Sequence, residues 1–156
     1  MLMDEVRPAR RVEAPPAALW AIALIALGPF PGSALMYCYG PAAREESWLA
    51  SLMSWSAIVL AFLGGVRWGL ETREPAPRAY RLAFNAVIAA SAWAVLLSRG
   101  RMPDAWTLAL LIGLFLIQWL FDHQPDAPSR YPTLSTALTA SAGVSLALAL
   151  EKAIHG

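Results

Sequence analysis

Five long apolar stretches follow one another along this chain and constrain its fold more than any other feature. Each is near or above the length of about 20 mostly apolar residues that a helix needs to cross a bilayer. A content of 58% hydrophobic and 15% charged residues also excludes an ordinary soluble domain. The approximate stretches are Ala17 to Tyr39, Trp48 to Leu70, Tyr80 to Ser98, Ala105 to Phe121 and Leu134 to Ile154. The pattern predicts an all-α membrane protein, a bundle of five transmembrane helices.

The composition and motifs of the chain exclude several classes of function. We expect residues 1–16 to form a cytoplasmic N-terminal segment and residues 17–156 to form a single transmembrane domain. The net charge of +1 offers no basic patch for nucleic acid. The single cysteine, Cys38, excludes an internal disulfide, and the two histidines, His123 and His155, fall on opposite sides of the predicted membrane. No motif of a hydrolase, zinc protease or nucleotide-binding enzyme is present, so we expect neither catalysis nor a cofactor.

The distribution of basic residues predicts the orientation of the bundle. Loops rich in Lys and Arg face the cytoplasm. One side of the five-helix arrangement carries eight basic residues: Arg7, Arg10, Arg11, Arg67, Arg73, Arg78, Arg81 and Arg130. The other side carries four: Arg44, Arg99, Arg101 and Lys152. The asymmetry predicts that the N-terminus lies in the cytoplasm, or in the matrix of an organelle, and that the C-terminus lies outside.

The first span contains two prolines near its middle, Pro29 and Pro31. Each removes a backbone hydrogen-bond donor, so the sequence predicts a non-helical break from Gly28 to Ser33. Carbonyl groups freed in a bilayer need partners from the protein or from water. Two interpretations follow. A neighbouring helix fills the break, or the broken helix forms part of a transport site.

Polar residues that could bind or react gather on the predicted cytoplasmic side, whereas the opposite side shows no comparable set. The candidate cluster consists of Arg67, Glu71, Asn85, Gln118, Asp122 and His123. The spacing of four residues places Arg67 and Glu71 on one helix face and favours an ion pair between them, with Asp122 as the alternative partner. The cluster is interpreted either as a structural network that fixes helix ends or as a ligand site.

The run from Ala57 to Gly69 resembles a known family. Its pattern Phe-Leu-Gly-Gly-x-x-Trp-Gly, matched by Phe62, Gly64, Gly65, Trp68 and Gly69, is similar to the signature of the domain of unknown function 3429 family. These are small, transmembrane protein 69-like membrane proteins of bacteria and mitochondria. The resemblance extends from about Leu19 to Leu150 and implies an integral membrane protein, without naming a reaction. A basic residue that is usual in the family after Leu134 is Ser135 here.

Two hypotheses about function follow from these observations. The first is a non-catalytic accessory or assembly component of a membrane complex, since short loops leave mainly lateral packing as a means of action. The alternative is a small-solute or ion carrier that uses the proline-broken first helix and the cytoplasmic polar cluster. The expected partners are the lipid bilayer and other membrane subunits or further copies of the chain. The expected location is the bacterial inner membrane or the mitochondrial inner membrane.

The topology is testable with reporter fusions. We expect a reporter fused after Gly156 to be active in the periplasm and inactive in the cytosol, because the basic residues predict an external C-terminus. A fusion in the loop between the second and third spans serves as the control and should show the reverse pattern. A cytosolic C-terminus would contradict the predicted orientation.

Overall fold

The computed structural model describes residues 17–123 and 132–155, and within these ranges the chain is helical apart from short connections. The predicted N-terminal segment 1–16 lies outside the described residues. Six α-helices follow in order: α1 (Ala17–Leu27), α2 (Pro29–Tyr39), α3 (Glu45–Glu71), α4 (Ala79–Leu97), α5 (Asp104–Asp122) and α6 (Pro132–His155). A short 3₁₀ turn over Ala42–Arg44 leads into α3.

Five helical stretches in the described chain are long and apolar enough to cross a membrane, which confirms the predicted five-helix membrane fold. The first of these is formed by α1 and α2 together, and each of the others contains one of the four remaining helices. The second is the longest, at 30 residues, because the 3₁₀ turn continues into α3. An outer surface rich in exposed apolar side chains fits this assignment, since lipid replaces water there.

The longest helix, α3, lies at the centre of the packing. It contacts α2, α4, α5 and α6, and α6 also packs against α1, α2 and α5. The interior is filled mainly by aliphatic side chains, and Phe30 and Phe115 meet there edge to face with ring centroids 6.0 Å apart. Consecutive spans run in opposite directions, so the helix ends form two polar rims. We call them the Asp122 end and the Lys152 end, after one residue of each.

The proline region of the first span is more helical than the sequence predicts. The expected non-helical segment from Gly28 to Ser33 is wrong, because α2 already begins at Pro29 and the interruption is confined to Gly28. Gly28 itself has helical dihedral angles, and its carbonyl accepts from the Gly32 N–H at 3.2 Å. The first N–H groups of a helix have no partner within it, so Pro29 and Pro31 cost α2 no hydrogen bond.

The prolines still leave two carbonyls of α1, those of Ile25 and Leu27, without their usual helical donors, and a neighbouring helix contacts the chain at this point. A residue at position 29 or 31 would normally donate to the carbonyl four residues earlier, which proline cannot do. The indole N–H of Trp55, on α3, donates to the carbonyl oxygen of Ala26, which lies between these two carbonyls in the chain, over 3.0 Å. This contact supports the interpretation in which a neighbouring helix fills the break. It also explains why a tryptophan lies deep in a span rather than at the membrane interface.

The Trp55 contact makes a specific prediction about stability. Trp55→Phe keeps an aromatic ring but removes the N–H that serves Ala26, so we expect the folded state to lose about 1 kcal/mol. Reversible unfolding in mixed micelles would measure the change. Trp93→Phe is the matched control, because Trp93 also lies inside a span but is 63% exposed to the lipid side. Equal effects of the two substitutions would contradict the assigned role.

Candidate functional site

The ionisable residues predicted from the sequence meet at the Asp122 end. α3 ends there with Arg67 and Glu71, α4 begins there and contains Asn85 in its second turn, and α5 ends there with the remaining members of the predicted cluster, of which His123 directly follows the helix. Although they lie close to helix ends, Arg67 and Asp122 are 8% and 4% exposed. Charges this well removed from solvent need partners, because desolvation of an unpaired ion costs several kcal/mol.

An ion pair between Arg67 and Asp122 joins α3 to α5. The guanidinium Nε lies 2.9 Å from Oδ1 of Asp122, and Nη2 donates to the backbone carbonyl of the same residue over 2.9 Å. One arginine therefore neutralises a carboxylate and also caps a carbonyl in the last turn of α5. Carbonyl groups at a helix C-terminus carry partial negative charge, so a cation stabilises this position, whereas Asp122 alone would not.

One residue of α5 itself and one of α6 complete the hydrogen bonding of Asp122. Gln118 donates to Oδ1 over 3.0 Å, and Ser135 on α6 donates to Oδ2 over 2.7 Å. Gln118 also contacts Oδ1 of Asn85 on α4 at 3.4 Å, and Asn85 donates to the Arg81 carbonyl. Side chains of α3, α5 and α6 thus contact one carboxylate, and α4 is joined to it through Gln118. Ser135, which stands where the family resemblance predicts a basic residue, supplies a neutral donor instead.

A second ion pair lies beside the first and corrects the predicted Arg67–Glu71 pair. Glu71 pairs with Arg81, whose Nη1 lies 3.5 Å from Oε2, and its Oε1 accepts the backbone N–H of Arg78 at 2.9 Å. Because Arg78 directly precedes α4, the carboxylate also sits at the positive end of that helix. Spacing alone could not reveal this partner. The groups that donate to Glu71 come from the start of α4, and the acceptor that Arg67 uses comes from α5.

The remaining predicted member, His123, lies at the edge of the network. Its ring is exposed, contacts the Trp119 carbonyl through Nδ1 at 2.8 Å and lies 3.3 Å from the Thr136 hydroxyl. Arg81 was not predicted as a buried member of the network. Its position early in the third span, four residues before Asn85, was the signal that could have identified it. Within the described residues, no group of three or more His, Cys, Asp or Glu side chains could hold a metal ion.

The chemistry of the site is that of a closed, neutral network. Two cations, Arg67 and Arg81, match two anions, Glu71 and Asp122, and each carboxylate receives hydrogen bonds on both oxygens. The exception among these polar groups is Gln118 Oε1, which is buried without a hydrogen-bond partner. Such an arrangement ties four helix ends together and does not offer a free nucleophile or base.

The signature glycines predicted from the family resemblance divide between two faces of α3. A side chain at Gly64 would place its Cβ 3.2 Å from the Asn85 carbonyl oxygen, so this glycine permits the close approach of α4. Gly65 and Gly69 have no atom within 4 Å of such a Cβ and face outward. Phe62 and Trp68 share the outward face, at 60% and 44% exposure.

Fold and site together define a small multi-pass helical membrane protein. Residues 15–151 match the model of a family described as "Protein of unknown function (DUF3429)", and the chain belongs to this family. A curated relative, "Transmembrane protein 69" of Xenopus tropicalis, is 30% identical over 141 residues. The match covers 86% of the present chain but 53% of the relative, so the chain spans about half the length of that protein. No solved structure shows a significant match.

The ion-pair assignment predicts a pattern of rescue between substitutions. Arg67→Met strands the buried Asp122 carboxylate and should destabilise the protein by about 3–5 kcal/mol. Combining it with Asp122→Asn removes the stranded charge, so the double variant should recover much of the loss. Combination with Glu71→Gln is the matched control and should give no recovery, because Glu71 pairs with Arg81. Unfolding in mixed micelles and accumulation in membranes are the measurements. Rescue by Glu71→Gln instead would contradict the assignment.

Proposed function

We propose that this protein is a non-catalytic accessory or assembly component of a larger membrane complex. The observation that carries the proposal is the outward face of α3, which we call the signature face and define by Phe62, Gly65, Trp68 and Gly69. It presents two glycines one helical turn apart, open to the exterior and flanked by exposed aromatic rings. We further propose the bacterial inner membrane or the mitochondrial inner membrane as its location.

The physics of helix association in lipid supports a packing role for this face. Lipid tails are as apolar as leucine side chains, so burial of apolar area gives little drive for association. Small residues at a spacing of four let two helix backbones approach closely and gain dispersion contacts instead. Gly65 and Gly69 provide such a groove, and Phe62 and Trp68 provide large surfaces at its margins. A transmembrane helix of a partner subunit is the occupant that we propose.

The interior supports this proposal over the carrier alternative. A carrier needs polar groups that exchange protein partners for solute, whereas the buried charges at the Asp122 end are paired with one another. The proline junction, the other element of the carrier hypothesis, has its Ala26 carbonyl hydrogen-bonded to Trp55. Both features support a rigid bundle that acts through its surface.

A bulky substitution on the signature face tests the proposal. Gly65→Leu should leave folding intact, because nothing lies within 4 Å of the added Cβ, yet it should fill the groove that the partner helix needs. We expect the wild-type chain, purified in mild detergent from its native membrane, to migrate with a heteromeric complex. The Gly65→Leu variant should shift at least tenfold toward the free chain at equal expression.

Gly113→Leu is the matched control, since Gly113 on α5 has equally open space and lies off the signature face. It should remain in the complex. Loss of the complex with both variants would indicate a general effect on folding. A wild-type chain that runs only as a monomer or as a homo-oligomer would contradict the proposed accessory role.

A further inference from the structure

The Lys152 end holds a polar cavity that the sequence did not reveal, and the expectation of no comparable set on this side is wrong. The cavity has a volume of about 360 Å³, which falls in the range of small-ligand sites. Its polar lining comes from the ends of four helices: Tyr37 on α2, Glu45 on α3, Asp104 on α5 and Lys152 on α6. The rest of the lining is alanine and proline. Residues 115 positions apart meet here, which no local pattern predicts.

The wall of this cavity already binds one ammonium group, that of Lys152. Its Nζ lies 3.0 Å from Glu45 Oε1 and donates to the Tyr37 carbonyl oxygen over 2.6 Å. The same nitrogen lies 4.5 Å from the centroid of the Tyr37 ring, within the range of a cation–π contact. A carboxylate, a carbonyl and an aromatic face are three groups that recognise an ammonium ion. Tyr37 is only 6% exposed, so its ring and carbonyl are held in place by packing.

The charges that line the cavity do not balance. Glu45 and Asp104 bring two negative charges, and Lys152 brings one positive charge. Among the described residues, Glu45 pairs with Lys152, whereas the carboxylate of Asp104 makes no hydrogen bond or ion pair that would neutralise it. Asp104 is half-buried at the first position of α5. One negative charge in the cavity is therefore available to a cation.

Two buried polar atoms lie one helical turn further into the bundle. Thr107 follows Asp104 by three residues and Trp48 follows Glu45 by three, so each shares a helix face with one of these acids. The Thr107 hydroxyl and the Trp48 indole N–H are both buried without a hydrogen-bond partner in the described structure. Buried polar groups are almost always partnered in native proteins. Neither residue lines the cavity, but each lies one helical turn from an acid that does, so unpartnered polar atoms continue from the cavity into the bundle.

The identity of the lining favours an organic cation over a metal ion. A divalent metal would need about six oxygen ligands at short distance, and the Lys152 ammonium would repel it from the same lining. An ammonium group has a lower charge than a divalent metal ion, and the lining supplies the kinds of contact that the Lys152 ammonium makes. We propose that the cavity binds an ammonium group beside Asp104, from a free small amine or from the headgroup of a zwitterionic lipid. This site is independent of the accessory role proposed for the signature face.

Thermal unfolding of the full chain in nanodiscs tests this proposal, followed by tryptophan fluorescence. In phosphatidylglycerol nanodiscs, ethanolamine should raise the Tm saturably, whereas sodium chloride at equal ionic strength should not. Nanodiscs containing phosphatidylethanolamine should raise the Tm without added amine if the headgroup is the source. A rise in either arm supports the site and identifies the source. No saturable rise in either arm would overturn it.

Two variants separate the site from a general effect of charge. Asp104→Asn should weaken the apparent affinity for the amine at least tenfold. Glu46→Gln should leave it unchanged, because the Glu46 side chain is 94% exposed and lies 3.9 Å from Arg99 outside the cavity. Equal affinities for wild type and Asp104→Asn would refute the assignment.

A third variant addresses the internal ammonium. Lys152→Ala leaves Glu45 and the Tyr37 carbonyl without their cation, and methylammonium is small enough to replace it. We expect methylammonium to raise the Tm of Lys152→Ala more than that of wild type. A response no larger than that of wild type would also count against an ammonium site.

Discussion

The bundle depends on one constraint, which is that buried charges and backbone groups must find partners inside the protein when lipid replaces water. Arg67 meets this constraint twice, since it neutralises the Asp122 carboxylate and caps the carbonyl of the same residue at the end of α5. Donors from α5 and α6 complete the hydrogen bonding of that carboxylate. Removing the arginine would leave the buried Asp122 carboxylate without its counter-ion, so the relative positions of α3, α5 and α6 rest on it.

The same constraint explains features that otherwise look unrelated. Prolines in the first span interrupt the backbone hydrogen bonding of α1, and the Trp55 indole of α3 donates to the Ala26 carbonyl at that point. Gly64 allows α4 to approach closely enough for Asn85 to enter the polar network. At the opposite rim, Lys152 binds Glu45 and the Tyr37 carbonyl. Partners come from a different helix in each case, so local irregularities become contacts that hold the bundle together.

The two surfaces proposed to act on other molecules differ from this interior. The signature face exposes Gly65 and Gly69 to the lipid, where they need no polar partner and allow close helix packing. The cavity at the Lys152 end retains an unneutralised carboxylate, Asp104, beside groups that already bind an ammonium. The ion pairs at the Asp122 end suit a structural interior. The signature face and the cavity, which both have groups without a protein partner, suit interactions with other molecules.

The sequence by itself determined the five spans and the family. It also placed Arg67, Asn85, Gln118 and Asp122 at one end, because the length of apolar stretches and the alternation of spans can be read without knowledge of packing. Tertiary structure alone decided the pairing. The spacing of four favoured Glu71 for Arg67, yet Asp122 and Arg81 lie on neighbouring helices and offer better geometry. It also decided that α2 resumes at Pro29 and that Tyr37, Glu45, Asp104 and Lys152 share a cavity. Such contacts depend on how helices distant in sequence rotate and approach one another, which periodicity along a single helix does not encode.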